Sequence, residues 1–142
     1  MTNAVADRPS RSTVFSPSKW ENQIGYARGV RVNNLVMIAG TVAADGSGAA
    51  QGAGAYDQTV FILRKIEKAL NELGATLADV ISTTTYLVKF DDFDEYARAH
   101  KEFFDTVRPV NTTVACSALV RPELLVEISA IALLPEPAEK ST

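Results

Sequence analysis

Ile62, Ile66, Ala69 and Leu73 fall on a single stripe at helical spacing, with Leu63 and Leu70 beside them and Gly74 behind as a C-terminal cap. A helix over residues 55–73 that is apolar along one side only must lie on another apolar surface. The neighbouring segments read as the sheet that supplies it. Residues 28–32 and 35–39 read as strands around Asn33-Asn34, and asparagine tolerates the positive φ of a two-residue hairpin turn. Residues 40–54 are rich in glycine and alanine with one Asp45-Gly46 pair, a composition that favours turns, so this stretch reads as a loop.

Threonine, valine and isoleucine dominate residues 80–88 and predict a strand. Asp92 with Glu95 three residues on has the pattern of a capping box. It opens a second helical face through Phe93, Tyr96, Ala97, His100, Phe103 and Phe104, which Arg108-Pro109 stops. Residues 112–119 and 125–134 predict two last strands around the turn-like Val120-Arg121-Pro122-Glu123. The order is that of an α+β fold, a mixed β-sheet with two helices packed on one face. The opposite face also needs a cover, and for so short a chain another copy of itself is the simplest one.

A length of 142 residues fits one domain, expected over residues 15–134 with loose tails at 1–14 and 135–142. No apolar run approaches the roughly 18 residues of a membrane span, and the first residues carry no apolar stretch of secretory type. Cytoplasmic residence without membrane contact is therefore expected. A net charge of −3 with dispersed lysines and arginines provides no basic stripe, which argues against nucleic acid as a partner. One cysteine, Cys116, and one histidine, His100, allow neither an intrachain disulfide nor a Cys/His zinc cluster, so no metal is expected. The glycines of residues 40–54 lack the Gly-Lys-Ser/Thr ending of a phosphate loop.

Three blocks carry a resemblance. Ile24-Gly25-Tyr26-Ala27-Arg28 leads into Leu35-Val36-Met37-Ile38-Ala39-Gly40. Gly74-Ala75-Thr76-Leu77-Ala78-Asp79-Val80 leads into Thr85-Tyr86-Leu87. Arg108-Pro109 precedes Val126-Glu127-Ile128-Ser129-Ala130-Ile131-Ala132. In this order, over residues 16–134, they resemble the YjgF/RidA family. The resemblance implies a homotrimer whose sheets line a central barrel, with clefts between subunits that hold small carboxylate ligands. It also implies hydrolysis of reactive enamines and imines to keto acids and ammonia, without a cofactor. The family's cleft tyrosine falls at Tyr26, its backbone-contributing glycine at Gly40, and its water-positioning glutamate at Glu127.

The chain departs from that pattern where active members carry a substrate-binding arginine, because Arg108-Pro109-Val110-Asn111 places Asn111 there. The family's cleft cysteine is Thr113, and the turn before Glu127 is one residue longer. These features are those of an arginine-less branch. Asn111 and Thr113 then stand as substrate-binding candidates, with Arg121 or Arg28 as a replacement cation. An asparagine amide offers only neutral donors where a guanidinium makes two charge-assisted bonds, so an imino-acid substrate is disfavoured unless another cation serves.

Glu127, flanked by Val126 and Ile128, is expected to be desolvated and to hold its proton toward neutrality, as a general acid requires. Plainer readings stand beside these. Glu127 also reads as an acid for pairing across a subunit contact, Tyr26 as a half-buried aromatic, and Asn111 and Thr113 as partners for backbone. His100 reads as a boundary residue and Cys116 as a small packed hydrophobe. Two functions follow, an enamine or imine hydrolase and a non-catalytic trimer that senses or sequesters a metabolite. RNA cleavage rests on old family names alone.

Overall fold

A computed structural model describes residues 9–136. Six strands, β1 (Arg11–Val14), β2 (Gly29–Val32), β3 (Leu35–Val42), β4 (Val80–Leu87), β5 (Val110–Ala115) and β6 (Val126–Leu133), form one sheet in the order β1-β2-β3-β6-β4-β5. All neighbours are antiparallel except β4 and β5, which run parallel, so the sheet is mixed. Three helices accompany it: α1 (Lys19–Ile24), α2 (Ala55–Glu72) and α3 (Phe93–Phe104). Among the described residues no helix is long and apolar enough to cross a membrane.

The two expected long helices share one face of the sheet. α2 packs on β3 and β6, and α3 packs beside α2. Ile62, Leu63, Ile66 and Leu70 are fully buried against Val36, Val126, Ile128 and Ala132, so alternate strand residues meet the helical stripe. Asn33 adopts φ 53° in the β2–β3 hairpin, and Gly74 adopts φ 84° after α2, where an added side-chain carbon would also strike Arg31. On the opposite face Leu35, Met37 and Leu133 remain exposed.

Several expectations are corrected. Residues 11–14, expected in a loose tail, are β1 and pair with β2 through Arg11↔Val32 to Val14↔Gly29; of the other expected tail residues, 9, 10, 135 and 136 carry no regular secondary structure, and 1–8 and 137–142 lie outside the described residues. β3 continues past residue 39 because a bulge between Ile38 and Thr41 shifts its register on β6. β5 runs over Val110–Ala115 instead of 112–119, because parallel pairing with β4 spans only Ser82↔Val110 to Leu87↔Ala115. Asp92 precedes α3 but its side chain accepts no capping bond. The glycine-rich loop is tied by Asp45, whose Oδ1 accepts from the Ser47 and Ala49 amides at 2.9 and 3.1 Å.

Candidate functional site

β2 pairs with β3 only as far as Gly29↔Ile38, which leaves residues 40–42 without a β2 partner. α1 and the segments beside it fill that gap and enclose a cleft of about 110 Å³. Tyr26, Arg28, Gly40 and Glu127 line it, together with Trp20 of α1 and Lys65 of α2. Ile24, Val42 and Val120 supply apolar wall.

Arg28 organises the floor. It is 3% exposed, and all five of its donors are used. Nε and Nη2 donate to Glu21 Oε2 at 3.2 and 3.1 Å, Nη2 also to the Tyr26 hydroxyl at 3.2 Å, and Nη1 to the Gly40 carbonyl and Thr41 Oγ1 at 2.8 and 3.1 Å. Glu21, equally buried, also accepts from the Ser16 amide at 2.8 Å and from the Ser16 hydroxyl. A buried ion pair of this kind fixes geometry more than it adds stability, because desolvation offsets most of the attraction. Arg28 therefore holds Tyr26 and Gly40 in place and has no donor left for a ligand.

Glu127 projects from β6 on the face opposite the helices, since Val126 and Ile128 on either side of it point into the core. Its direct neighbours across the sheet are Val42 and Tyr86. Gly40 lies against it: a side-chain carbon on Gly40 would stand 3.1 Å from the Glu127 carboxyl. Among the described residues the Glu127 carboxyl has no hydrogen-bond or ion-pair partner. Burial pushes its pKa up, and the Arg28 charge opposes that shift only in part. The apolar flanks thus predict the direction correctly, while a lowering charge is present after all, from Arg28.

Asn111 and Thr113 lie elsewhere. Their β4 partners Thr83 and Thr85 are buried on the helical face, so the pair sits on the other side of the sheet from Glu127. Asn111 Nδ2 donates to Thr83 Oγ1 at 3.0 Å and to the Tyr96 hydroxyl at 3.1 Å, and its Oδ1 accepts from Thr113 Oγ1 at 2.8 Å. Tyr96 also meets Thr85 and Thr113 at 2.8 and 3.0 Å, and His100 Nε2 meets Thr83 at 2.9 Å. Burial lowers the His100 pKa to about 4, so the ring is neutral and structural. A larger depression of about 260 Å³ opens over Tyr96, His100 and Asn111, each of which is already hydrogen-bonded to protein. Within one chain Asn111 and Thr113 are both bonded to protein and lie away from the cleft of Glu127.

Arg121 also lies apart within the chain. Its Nε pairs with Glu123 at 3.6 Å, and it does not line the cleft. Tyr26, Gly40 and Glu127 are thus brought together, while Asn111, Thr113 and Arg121 are not. Trp20, Glu21 and Lys65 were missed. Ser18-Lys19-Trp20-Glu21 has the Ser-x-x-Glu pattern of a helix start, and Ser18 does cap α1 by accepting from the Trp20 amide at 3.3 Å. Lys65 stands three residues after Ile62 and four before Ala69, on the apolar stripe, where a lysine is out of place. Among the described residues no three His, Cys, Asp or Glu side chains cluster as metal ligands.

Known proteins share this sequence and shape. The family described as Endoribonuclease L-PSP matches residues 18–134. The Streptomyces coelicolor protein SCO2049 is 36% identical over 115 residues, covering 81% of this chain and 86% of its own length. A RutC family protein of Pyrococcus abyssi is 31% identical over 108 residues, covering 75% and 84%. The crystal structure of Rv2704 from Mycobacterium tuberculosis, a member of the YjgF/YER057c/UK114 family, superposes with a TM-score of 0.82 at 41% identity, covering 88% of this chain and all of that one. With the match extending from α1 through the last strand and including every residue of the cleft, the chain belongs to the YjgF/RidA family.

Proposed function

We propose that this protein is a cofactor-independent, deaminase-like hydrolase of small enamines or imines, with its chemistry in the cleft of Tyr26, Gly40 and Glu127. The observation that carries the reading is the Glu127 carboxyl, half-buried, without a protein partner, and inclined by desolvation to keep its proton. A carboxylic acid so placed protonates an enamine carbon or imine nitrogen. The resulting carboxylate then takes a proton from the water that attacks the C=N carbon. The carbinolamine breaks its C–N bond, ammonia leaves, and a carbonyl remains; one water is consumed for each C=N bond cleaved. The Tyr26 oxygen accepts from Arg28, which leaves its own proton free to orient the substrate.

Self-association into a homotrimer fits this reading, because β5 offers an unpaired edge and Leu35, Met37 and Leu133 an apolar face. Clefts of the assembled protein would then lie between subunits. A small-molecule ligand in the cytoplasm, with no nucleic acid or membrane partner, is the matching setting. The family description names an endoribonuclease, but a net charge of −3 with no basic stripe gives an RNA backbone little to hold.

A non-catalytic binding trimer is the second reading, and Asn111 in the position of the family's arginine favours it. Ammonia release from a freshly generated imine by the native protein and by Glu127→Gln separates the two. Turnover lost in the variant supports the hydrolase, whereas ligand binding without turnover supports the binder.

A further inference from the structure

The cleft contains two cations, and they differ in what they have left to offer. Arg28 is neutralised by Glu21 and has no free donor. Lys65 reaches the same cleft from α2, and its ammonium has three donors. One of them makes a long bond, 3.4 Å, to the Ala44 carbonyl, and among the described residues Lys65 forms no ion pair. Two other lysines of the helices are placed differently: Lys68 pairs with Glu72 and Lys101 with Asp105, each along its own helix.

We propose that Lys65 is the anion anchor of the cleft, binding the carboxylate of a small monoanionic ligand from the same chain that supplies Glu127. The inference rests on the reading of this cleft as the ligand site. It replaces a cation on β5 by one on α2, and so answers what holds an acidic substrate when position 111 is an asparagine. An ammonium held among apolar walls has lost part of its hydration, and its pKa is lowered chiefly by that burial and next by Arg28, with Glu21 opposing. An incoming carboxylate restores the missing partner, and in a partly desolvated site a charge-assisted bond is worth more than in water. A volume of about 110 Å³ walled in part by Ile24, Val42 and Val120 admits a short chain with one charged end, and that apolar wall solvates a second charge poorly.

Trp20 is the only tryptophan and lines the cleft, so its fluorescence reports occupancy. The test is titration with 2-oxobutyrate and with its uncharged counterpart 2-oxobutanamide, using native protein, Lys65→Met and Lys65→Arg, with inorganic phosphate as a competitor. Native protein should prefer the carboxylate by about ten-fold or more. The preference should collapse to near unity in Lys65→Met and survive in Lys65→Arg, and phosphate should compete poorly. An unchanged preference in Lys65→Met, no preference in the native protein, tighter binding of phosphate than of 2-oxobutyrate, or no response to 2-oxobutyrate would each overturn the proposal. The hydrolase reading fails on a separate measurement, turnover of imines that is indifferent to Glu127→Gln.

Discussion

The carboxyl of Glu127 lies over Gly40 so closely that a side-chain carbon there would stand 3.1 Å from it. Two strands of the sheet meet at this point, and the bulge in β3 is what brings Gly40 under the acid. Gly40 is required here for proximity, since its backbone is not in the left-handed region. Gly40→Ala should therefore displace the acid while leaving the sheet intact. Imine hydrolysis is expected to fall by about ten-fold or more, on the scale of a misplaced catalytic group, with a melting temperature close to native; steady-state kinetics and calorimetry check the two halves.

Proton occupancy of Glu127 should set the pH profile. Its folded pKa is raised by burial, so the acid form persists above the ordinary carboxyl range and is lost as pH rises through the raised value. Activity should decline on the alkaline side with that titration. The same shift means that ionising Glu127 destabilises the folded chain at neutral pH and not at low pH. Glu127→Gln should thus be more stable than native at pH 7, with the advantage shrinking as pH falls through the raised folded value and vanishing below the unfolded value, as urea unfolding at several pH values would reveal.

His100 acts in the opposite direction. Its pKa is about 4 in the folded chain against 6.5 in the open one, so the unfolded state binds the extra proton between those values and stability falls with pH across that window. Between pH 7.5 and pH 5 the loss is on the order of 2 kcal/mol. His100→Gln, which keeps a donor near Thr83, should remove most of that difference in denaturant midpoints.

Replacing Asn111 by arginine is expected to weaken the fold. Asn111 bonds three side chains through its amide, and a guanidinium cannot accept from Thr113. Either Asn111→Arg or Asn111→Ala should cost about 1 kcal/mol of stability, read as a lower denaturant midpoint than that of the native protein.

The long periodic segments were legible in the sequence, because α2 and the core strands bury one continuous stripe each. The site was legible in part. Tyr26, Gly40 and Glu127, named through the resemblance, line one cleft, and the apolar flanks of Glu127 point to the direction in which burial shifts its pKa. Arg28 as a committed structural cation was not readable, since only the fold brings Glu21, seven residues earlier, and Thr41, beyond the hairpin, onto one guanidinium. The bonding of Asn111 is not readable for the same reason: Tyr96, which accepts from its amide, comes from another element. β1 escaped notice because Arg11-Ser12-Thr13-Val14 is nearly all polar and exposed, an edge strand with little to bury.

Ammonia release from freshly generated 2-iminobutyrate and from butan-2-imine, followed with native protein and Glu127→Gln side by side, tests the central claim most directly. The account predicts acceleration of at least one of the two by the native protein, reduced about a hundred-fold or more in the variant, as befits loss of a general acid. Equal rates from native and variant protein, or no acceleration of either imine over buffer, would contradict it.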